Sequence, residues 1–401
     1  MLTATEYKSM TEVNPEIINQ LEKLQFYIEA EHYKGYDPYD TLTSPIPFKI
    51  FTRYGQAIAT QIQKRNPFNI RPLLGIKKDY NPKGMGLLLH GYSLLQQTFP
   101  DKNYNSQIQF IYNWLKSNRS KDFKNACWGY NFGWASPEKY LPPFAPTVVA
   151  TSFIASGIYE YYQLTKDASA LDLLISISEF IMNDLPVTET ENGICYSYSP
   201  FMKDCCYNAS LLAAETLARV YSLTGNDELK DAAISAVNFV VAHQHDDGHW
   251  KYKIDPLTGK ERHQVDFHQG YIIDSIRNVI RYASIDDMDW NTAVSKGLHF
   301  YMNEQFFNTG QSKWRIPHIY PVEIHNQTQG IITFAESSDK EYKEFSGIVL
   351  NWTIRNMQDP KGYFYYRKLK YYTNKLSFMR WSNAWMFLAM SKYVASQKTT
   401  K

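Results

Sequence analysis

The sequence predicts an all-α protein, an (α/α)6 toroid of six helical hairpins with long aromatic loops gathered at one rim. Three observations carry this expectation. A nearly uncharged apolar helix is followed by an amphipathic one and then by a loop crowded with aromatics, and the unit recurs along the chain. Landmarks in those loops fall at Gly129, Gly193, Gly248, Lys313 and Gly362, which are 64, 55, 65 and 49 residues apart, the length of a helical hairpin with a long connection. The 401 residues are 44% hydrophobic and 15% aromatic, enough to bury one layer of helices completely behind another.

The elements follow in order. Residues 15–33 place Ile17, Leu21, Leu24 and Ile28 on one stripe. Residues 34–80, with GYDPYDTLTSPI and RNPFNIRPLLG, read as an ordered arm, not a separate domain. The apolar run KGMGLLLHGYSLLQQTF then precedes the striped YNSQIQFIYNWLKSN and the loop CWGYNFGWASPEKYLPP. Residues 146–165 carry no charge from Thr147 to Tyr159, so this helix is expected to be buried all round, with Pro146 and Thr147 at its start. Its partner, 167–185, has one apolar face and leads to GICYSYSPFMKDCCY.

The same triplet returns. NASLLAAETLARVYSLTGN ends at the turn Gly225-Asn226, and DELKDAAISAVNFVVAHQ sets Leu229, Ala233, Ala236, Val237, Val240 and Val241 on one face. Further copies start at DFHQGYIIDSIRNVIRYAS and at IHNQTQGIITFA, and MRWSNAWMFLAMSKYV is the last apolar helix. Inner helices are thus expected to start near 83, 147, 208, 266, 325 and 379, and outer helices near 101, 167, 227, 288 and 340. The sixth outer helix is supplied by 15–33, which would pair with the last inner one and close a ring. The chain reads as one domain over 1–401, with 397–401 a disordered tail. An open α-solenoid uses the same helix pairs, but its repeats are shorter and lack long aromatic loops at one edge.

Composition narrows the function. Lys+Arg 42 against Asp+Glu 40 gives a net charge of +2, which does not favour a nucleic-acid partner. No window approaches the apolar length of a membrane span, and MLTATEYKSM lacks the apolar core of a signal peptide. Four cysteines, Cys127, Cys195, Cys205 and Cys206, are too few to staple the chain, so reduced thiols and a cytoplasmic location are expected. Gly84-Met85-Gly86 is isolated and follows no strand, and no cofactor is expected. The sequence carries no signal for an oligomer.

The segments GYDPYD (35–40), CWGYNF (127–132), PTVVATSF (146–153), DFHQGY (266–271), YPVEIH (320–325) and MRWSNAWM (379–386) carry a resemblance. The chain resembles the six-hairpin glycosidase-like superfamily, which includes unsaturated glucuronyl hydrolases, polysaccharide lyases and epimerases. Through these motifs it looks more specifically like bacterial and archaeal proteins found with polysaccharide-biosynthesis genes. The resemblance implies the toroid and a glycan context.

Connectivity locates the candidate site. Every aromatic loop joins an outer helix to the next inner one, so all inner N-termini open at one mouth, their positive ends suited to an anionic group. In DFHQGY, Asp266 is a natural helix cap and His268 stands in the first turn, ready for acid–base work with Tyr271 one turn along. A cap with a hydrogen-bonded histidine is the bland alternative. YPVEIH adds Glu323 and His325, with Glu323 either a cap or a catalytic carboxylate. Arg380 would grip a ligand carboxylate with its planar fork, or else pair with Asp266 or Glu323. Trp381, Asn208, Trp128, Tyr130 and Trp250 are the expected sugar contacts, although most loop aromatics should pack the loops together.

Asp204, Asp266 and Glu323 would supply the two carboxylates that hydrolysis needs about 5–10 Å apart. Lyase or epimerase chemistry instead needs bases such as His or Tyr and a group neutralising a carboxylate. No metal is expected: Cys205 and Cys206 are adjacent, and no C-x-x-C or H-E-x-x-H spacing occurs. Asp286, Asp287 and Asp289 precede an outer helix and read as capping. The leading expectation is a carbohydrate-active enzyme, a hydrolase, lyase or epimerase, acting on an acidic oligo- or polysaccharide in surface polysaccharide biosynthesis. The alternatives are a non-catalytic glycan-binding or assembly protein and a terpenoid-type toroid enzyme.

Overall fold

The computed structural model describes residues 14–46, 48, 52–136 and 140–398. Six inner helices stand side by side: α3 (Pro82–Thr98), α5 (Val148–Thr165), α7 (Tyr207–Thr224), α9 (His268–Ala283), α11 (Ile324–Ala335) and α13 (Trp385–Lys398). Each packs on the next and α13 packs back on α3, so the ring is closed and the solenoid alternative fails. The outer layer is α4 (Asn105–Ser117), α6 (Ala168–Asp184), α8 (Asp227–Val241), α10 (Met288–Gln305), α12 (Lys340–Met357) and, from the N-terminal side, α1 (Pro15–Ala30) against α13. Ile17, Leu21, Leu24 and Ile28 of α1 are all buried, as their stripe requires. Among the described residues no helix is long and apolar enough to cross a membrane.

Helix starts obey local chemistry. Asn81 accepts from the Gly84 N–H and Thr147 from the Ala150 N–H, capping α3 and α5. Asp287 accepts from the N–H groups of Asp289 and Trp290, the capping expected for that acidic run. Small residues let the inner helices close: a Cβ on Gly86 would lie 2.8 Å from Cα of Ile154, and one on Gly157 would overlap the Gly86 carbonyl.

Three features differ from the all-helical expectation. The loops carry short antiparallel ladders, among them Val187–Thr190 with Gly193–Tyr196 and a three-strand set of Val322–Glu323, Tyr365–Lys368 and Thr373–Ser377, which pair the backbone of segments long enough to double back on themselves. The last inner helix opens with a π-helical segment, Met379–Ala384. The arm contains its own helix, α2 (Arg53–Arg65). Of the expected tail, Gln397 and Lys398 end α13, and 399–401 lie outside the described residues.

Towards the C-terminal ends of the inner helices, the ring is filled by polar groups. Arg219 pairs with Glu215 at 2.5 Å and donates to Ser156, while Ser275 and Asn278 donate to the same Glu215. Asp274 pairs with Arg277 and accepts from Gln329 and Thr333. This network seals one end, and the mouth is the other.

Candidate active site

The mouth is ringed by half-buried aromatics, Tyr39, Tyr130, Phe153, Tyr198, Tyr252 and Phe267, each brought by the arm, a loop or an inner helix start. Arm and loops close over the helix ends because their aromatics bury against one another. Tyr39 meets Trp381 edge-on at 5.6 Å, and Tyr130 stacks on Phe132.

His268 begins α9. Its Nδ1 lies 2.5 Å from Oδ1 of Asp266, which also accepts from the His268 backbone N–H at 3.3 Å. The other Asp266 oxygen accepts from Gln264 and from Arg315. Burial alone would raise the Asp266 pKa, but His268 and then Arg315 outweigh it and hold the carboxyl below its ordinary range. An ionised Asp266 therefore fixes the ring orientation of His268, whose Nε2 is left without a hydrogen-bond partner among the described residues. The ring packs between Phe267, at 4.1 Å, and Tyr252, at 4.9 Å.

His325 begins α11 deeper in the mouth. Its Nε2 lies 2.5 Å from the Tyr271 hydroxyl. Burial above all, with Arg380 adding to it, pushes the His325 pKa well below that of an ordinary histidine, and burial pushes the Tyr271 phenol well up. The imidazole is therefore neutral, and Tyr271 donates to it. Phe267, Trp381 and Trp385 enclose the His325 ring at 4.3, 4.6 and 4.7 Å.

Two sequence expectations change here. Glu323 stands at the N-cap position of α11, but its side chain caps no N–H: it accepts from Trp381 Nε1 at 2.9 Å and from both Nε and Nη2 of Arg367. Arg380 pairs with neither Asp266 nor Glu323, and its fork is already closed on Asp37 of the arm, with Nε–Oδ2 2.7 Å and Nη2–Oδ1 2.8 Å. The guanidinium also lies 5.0 Å from the Tyr130 ring centre.

Asp266, His268, Tyr271, Glu323, His325, Arg380, Trp381 and Tyr130 thus come together. Trp128 and Trp250 do not join them. Both are fully buried, donating to the carbonyls of Leu115 and Val240, and serve as core under the loops. Asn208 is buried at the start of α7 and accepts from the Cys206 thiol. All four cysteines are buried and none is in a disulfide, and no metal-holding cluster of His, Cys, Asp or Glu occurs among the described residues.

Sequence reasoning missed Asp37, Lys83, Phe153, Phe267, Arg367 and Trp385. Lys83 stands in the first turn of α3 with its ammonium over the rings of Phe153, Trp385 and Tyr271. A single charge opening the run KGMGLLLHGYSLL was the available signal. Asp37 had none, because its partner is 343 residues away.

No protein-family model matches the sequence, and comparison with curated proteins finds no match. Solved structures do match. Cellobiose 2-epimerase from Bacillus thermoamylovorans superposes with a TM-score of 0.63 at 13% identity, covering 78% of this chain and 87% of that one. A GH76 α-mannanase from Bacteroides thetaiotaomicron gives 0.59 at 14% identity over 80% and 87%. A possible GH105 member from Klebsiella pneumoniae gives 0.61 at 10% identity over 96% and 94%. The chain has the (α/α)6-toroid fold of these glycosidase-like proteins.

Proposed function

We propose that the protein is a carbohydrate-active enzyme that moves a proton on an acidic sugar, by lyase or epimerase chemistry, with His268 as the proton-transfer group. The observation that carries this reading is the Asp266–His268 pair, which leaves His268 Nε2 unengaged among the described residues within a ring of half-buried aromatics. A buried carboxylate on Nδ1 orients the ring and stabilises the imidazolium formed when Nε2 takes a proton. The Tyr271–His325 pair, 2.5 Å apart, is a second proton donor and acceptor in the same mouth.

Hydrolysis fits less well. It requires one carboxyl held protonated beside a second carboxylate. Asp266 is held ionised by His268 and Arg315, and both oxygens of Glu323 are taken up by Arg367 and Trp381, so neither is placed as a free acid facing a sugar. Aromatic walls suit sugar faces, and the sequence motifs suggest a substrate from surface polysaccharide biosynthesis in the cytoplasm.

The test is incubation with uronic and neutral oligosaccharides in deuterated water. Deuterium at the carbon next to a carbonyl or carboxylate, or ultraviolet absorbance from an unsaturated product, is expected. New reducing ends with neither signal would replace this reading with hydrolysis. Binding without turnover would favour the glycan-binding alternative.

A further inference from the structure

Among the described residues of the mouth, Lys64 and Lys83 have no carboxylate in direct contact; Lys64 is half-buried and donates to the Tyr39 hydroxyl, so Lys83 is the fully buried one. Arg380 is paired with Asp37, Arg367 with Glu323 and Arg315 with Asp266. Lys83, only 3% exposed, has no carboxylate or hydrogen-bond acceptor among the described residues. Its Nζ instead lies 4.2 Å from the ring centre of Phe153, 5.1 Å from Trp385 and 5.9 Å from Tyr271. It also stands in the first turn of α3, at the positive end of the helix dipole. Ring faces offset only part of the penalty of burying an ammonium. A site built this way is incomplete until an anion arrives.

We infer that Lys83 is the anion-binding group of the mouth, receiving the carboxylate or phosphate of an acidic sugar, and that the anion draws a proton onto it. This rests on the reading that the mouth holds a sugar. The groups facing Lys83 can be named from each packed element. Arg380 faces it from the π-helical segment and Asp37 from the arm. Tyr271 comes from α9, and His325 from α11 lies near enough to feel its charge. Phe153 and Trp385 offer ring faces alone. Asp37 is already bidentate to Arg380, and Tyr271 donates to His325. Burial first, and then Arg380, push the Lys83 pKa well below the ordinary lysine value. The empty mouth therefore favours a neutral amine, and an incoming anion favours the ammonium, with the proton taken from solvent.

The experiment is calorimetric titration with D-glucuronate, D-glucose 6-phosphate and D-glucose, each near neutral pH in two buffers of different ionisation enthalpy. At least one acid should bind about tenfold or more tightly than glucose, as a charge-assisted contact predicts. Its heat should differ between buffers by the uptake of a fraction of a proton up to one. The two acid arms tell carboxylate from phosphate. K83M, which keeps an unbranched stem over the rings, should lose both the preference and the buffer dependence. Equal heats in both buffers for the wild type overturn the inference even if K83M does not fold, and so does a K83M that keeps the preference. Glucose binding as tightly as both acids overturns Lys83 alone and leaves the sugar reading standing. If none of the three binds, the sugar reading falls, and this inference with it.

Discussion

Arg380 holds Asp37 in a bidentate ion pair across 343 residues of sequence, and both side chains are almost fully buried. The pair fastens the arm to the last inner helix beside the mouth. A second arm pair backs it: Arg71 donates to both oxygens of Asp40, and Asp40 accepts from the Asp37 backbone N–H at 2.9 Å. The arm is therefore a wall of the site, and electrostatics hold it there.

Removing one partner should be costly. Asp37→Ala leaves a buried guanidinium unpaired and is expected to destabilise by about 3–5 kcal/mol. Arg380→Lys, which cannot reproduce the fork, should also destabilise. Denaturant unfolding of both variants and of the double variant measures the coupling, and near-additive effects would show that the pair does not hold the arm.

His268→Ala should behave differently. The ring, 14% exposed, packs between Phe267 and Tyr252 and pairs with the buried Asp266, so some stability should go with it, but less than for Asp37→Ala because Arg315 and Gln264 still hold that carboxylate. Turnover, once a substrate is in hand, should fall about 100- to 10,000-fold. Asp266→Asn should also slow turnover and should lower stability as well, because Arg315 and Gln264 lose their ionised acceptor. A His268→Ala protein with wild-type turnover would remove the histidine from the mechanism.

How much of this was legible depended on distance along the chain. The six hairpins were visible because inner and outer helices differ in periodicity: the starts predicted near 147, 208, 227, 288 and 340 lie within a residue of those found, while those near 101 and 266 lie four and two residues early. Asp266 and His268 were legible together because they lie two residues apart at a helix start, although Phe267 and not Asp266 stands at the N-cap. The occupant of the Arg380 fork was not, since no local rule joins residues 37 and 380. Trp128 and Trp250 looked like sugar platforms, yet their indole N–H groups reach carbonyls of the preceding outer helices and bury the rings. Composition marks an aromatic as useful without saying which side of a loop it occupies.

The polar end of the ring predicts a pH effect. Burial raises the Asp274 pKa to about 6, with Arg277 opposing and Glu336 adding to the shift. The folded state thus holds that proton more tightly than the unfolded chain, whose carboxyl titrates near about 4. This group's contribution to stability is full below about pH 4 and is lost as the pH rises through about 6, by about 3 kcal/mol at most. Unfolding of wild type against Asp274→Asn between pH 4.5 and 7 should show the wild-type advantage shrinking as pH rises. A constant difference would contradict the shift.

Gly157→Ala should separate α3 from α5, because the new methyl overlaps the Gly86 carbonyl. Overpacking of this kind destabilises by roughly 1–3 kcal/mol. The displacement would carry Lys83 with α3, so weaker binding of an acidic sugar should accompany the lower melting temperature. Unchanged unfolding would mean that the ring is looser than the packing indicates.

Closure by α1 also sets a waiting time during synthesis. The helix leaves the ribosome long before its partners, since Gln20 and Tyr27 meet Gln358 and Ser377 only 338 and 350 residues later. At about 5–20 residues per second, its Leu21, Leu24 and Ile28 stripe stays uncovered for roughly 17 to 70 s. Nascent chains halted short of residue 379 would leave that stripe open to protease, and chains carried past residue 398 would bury it.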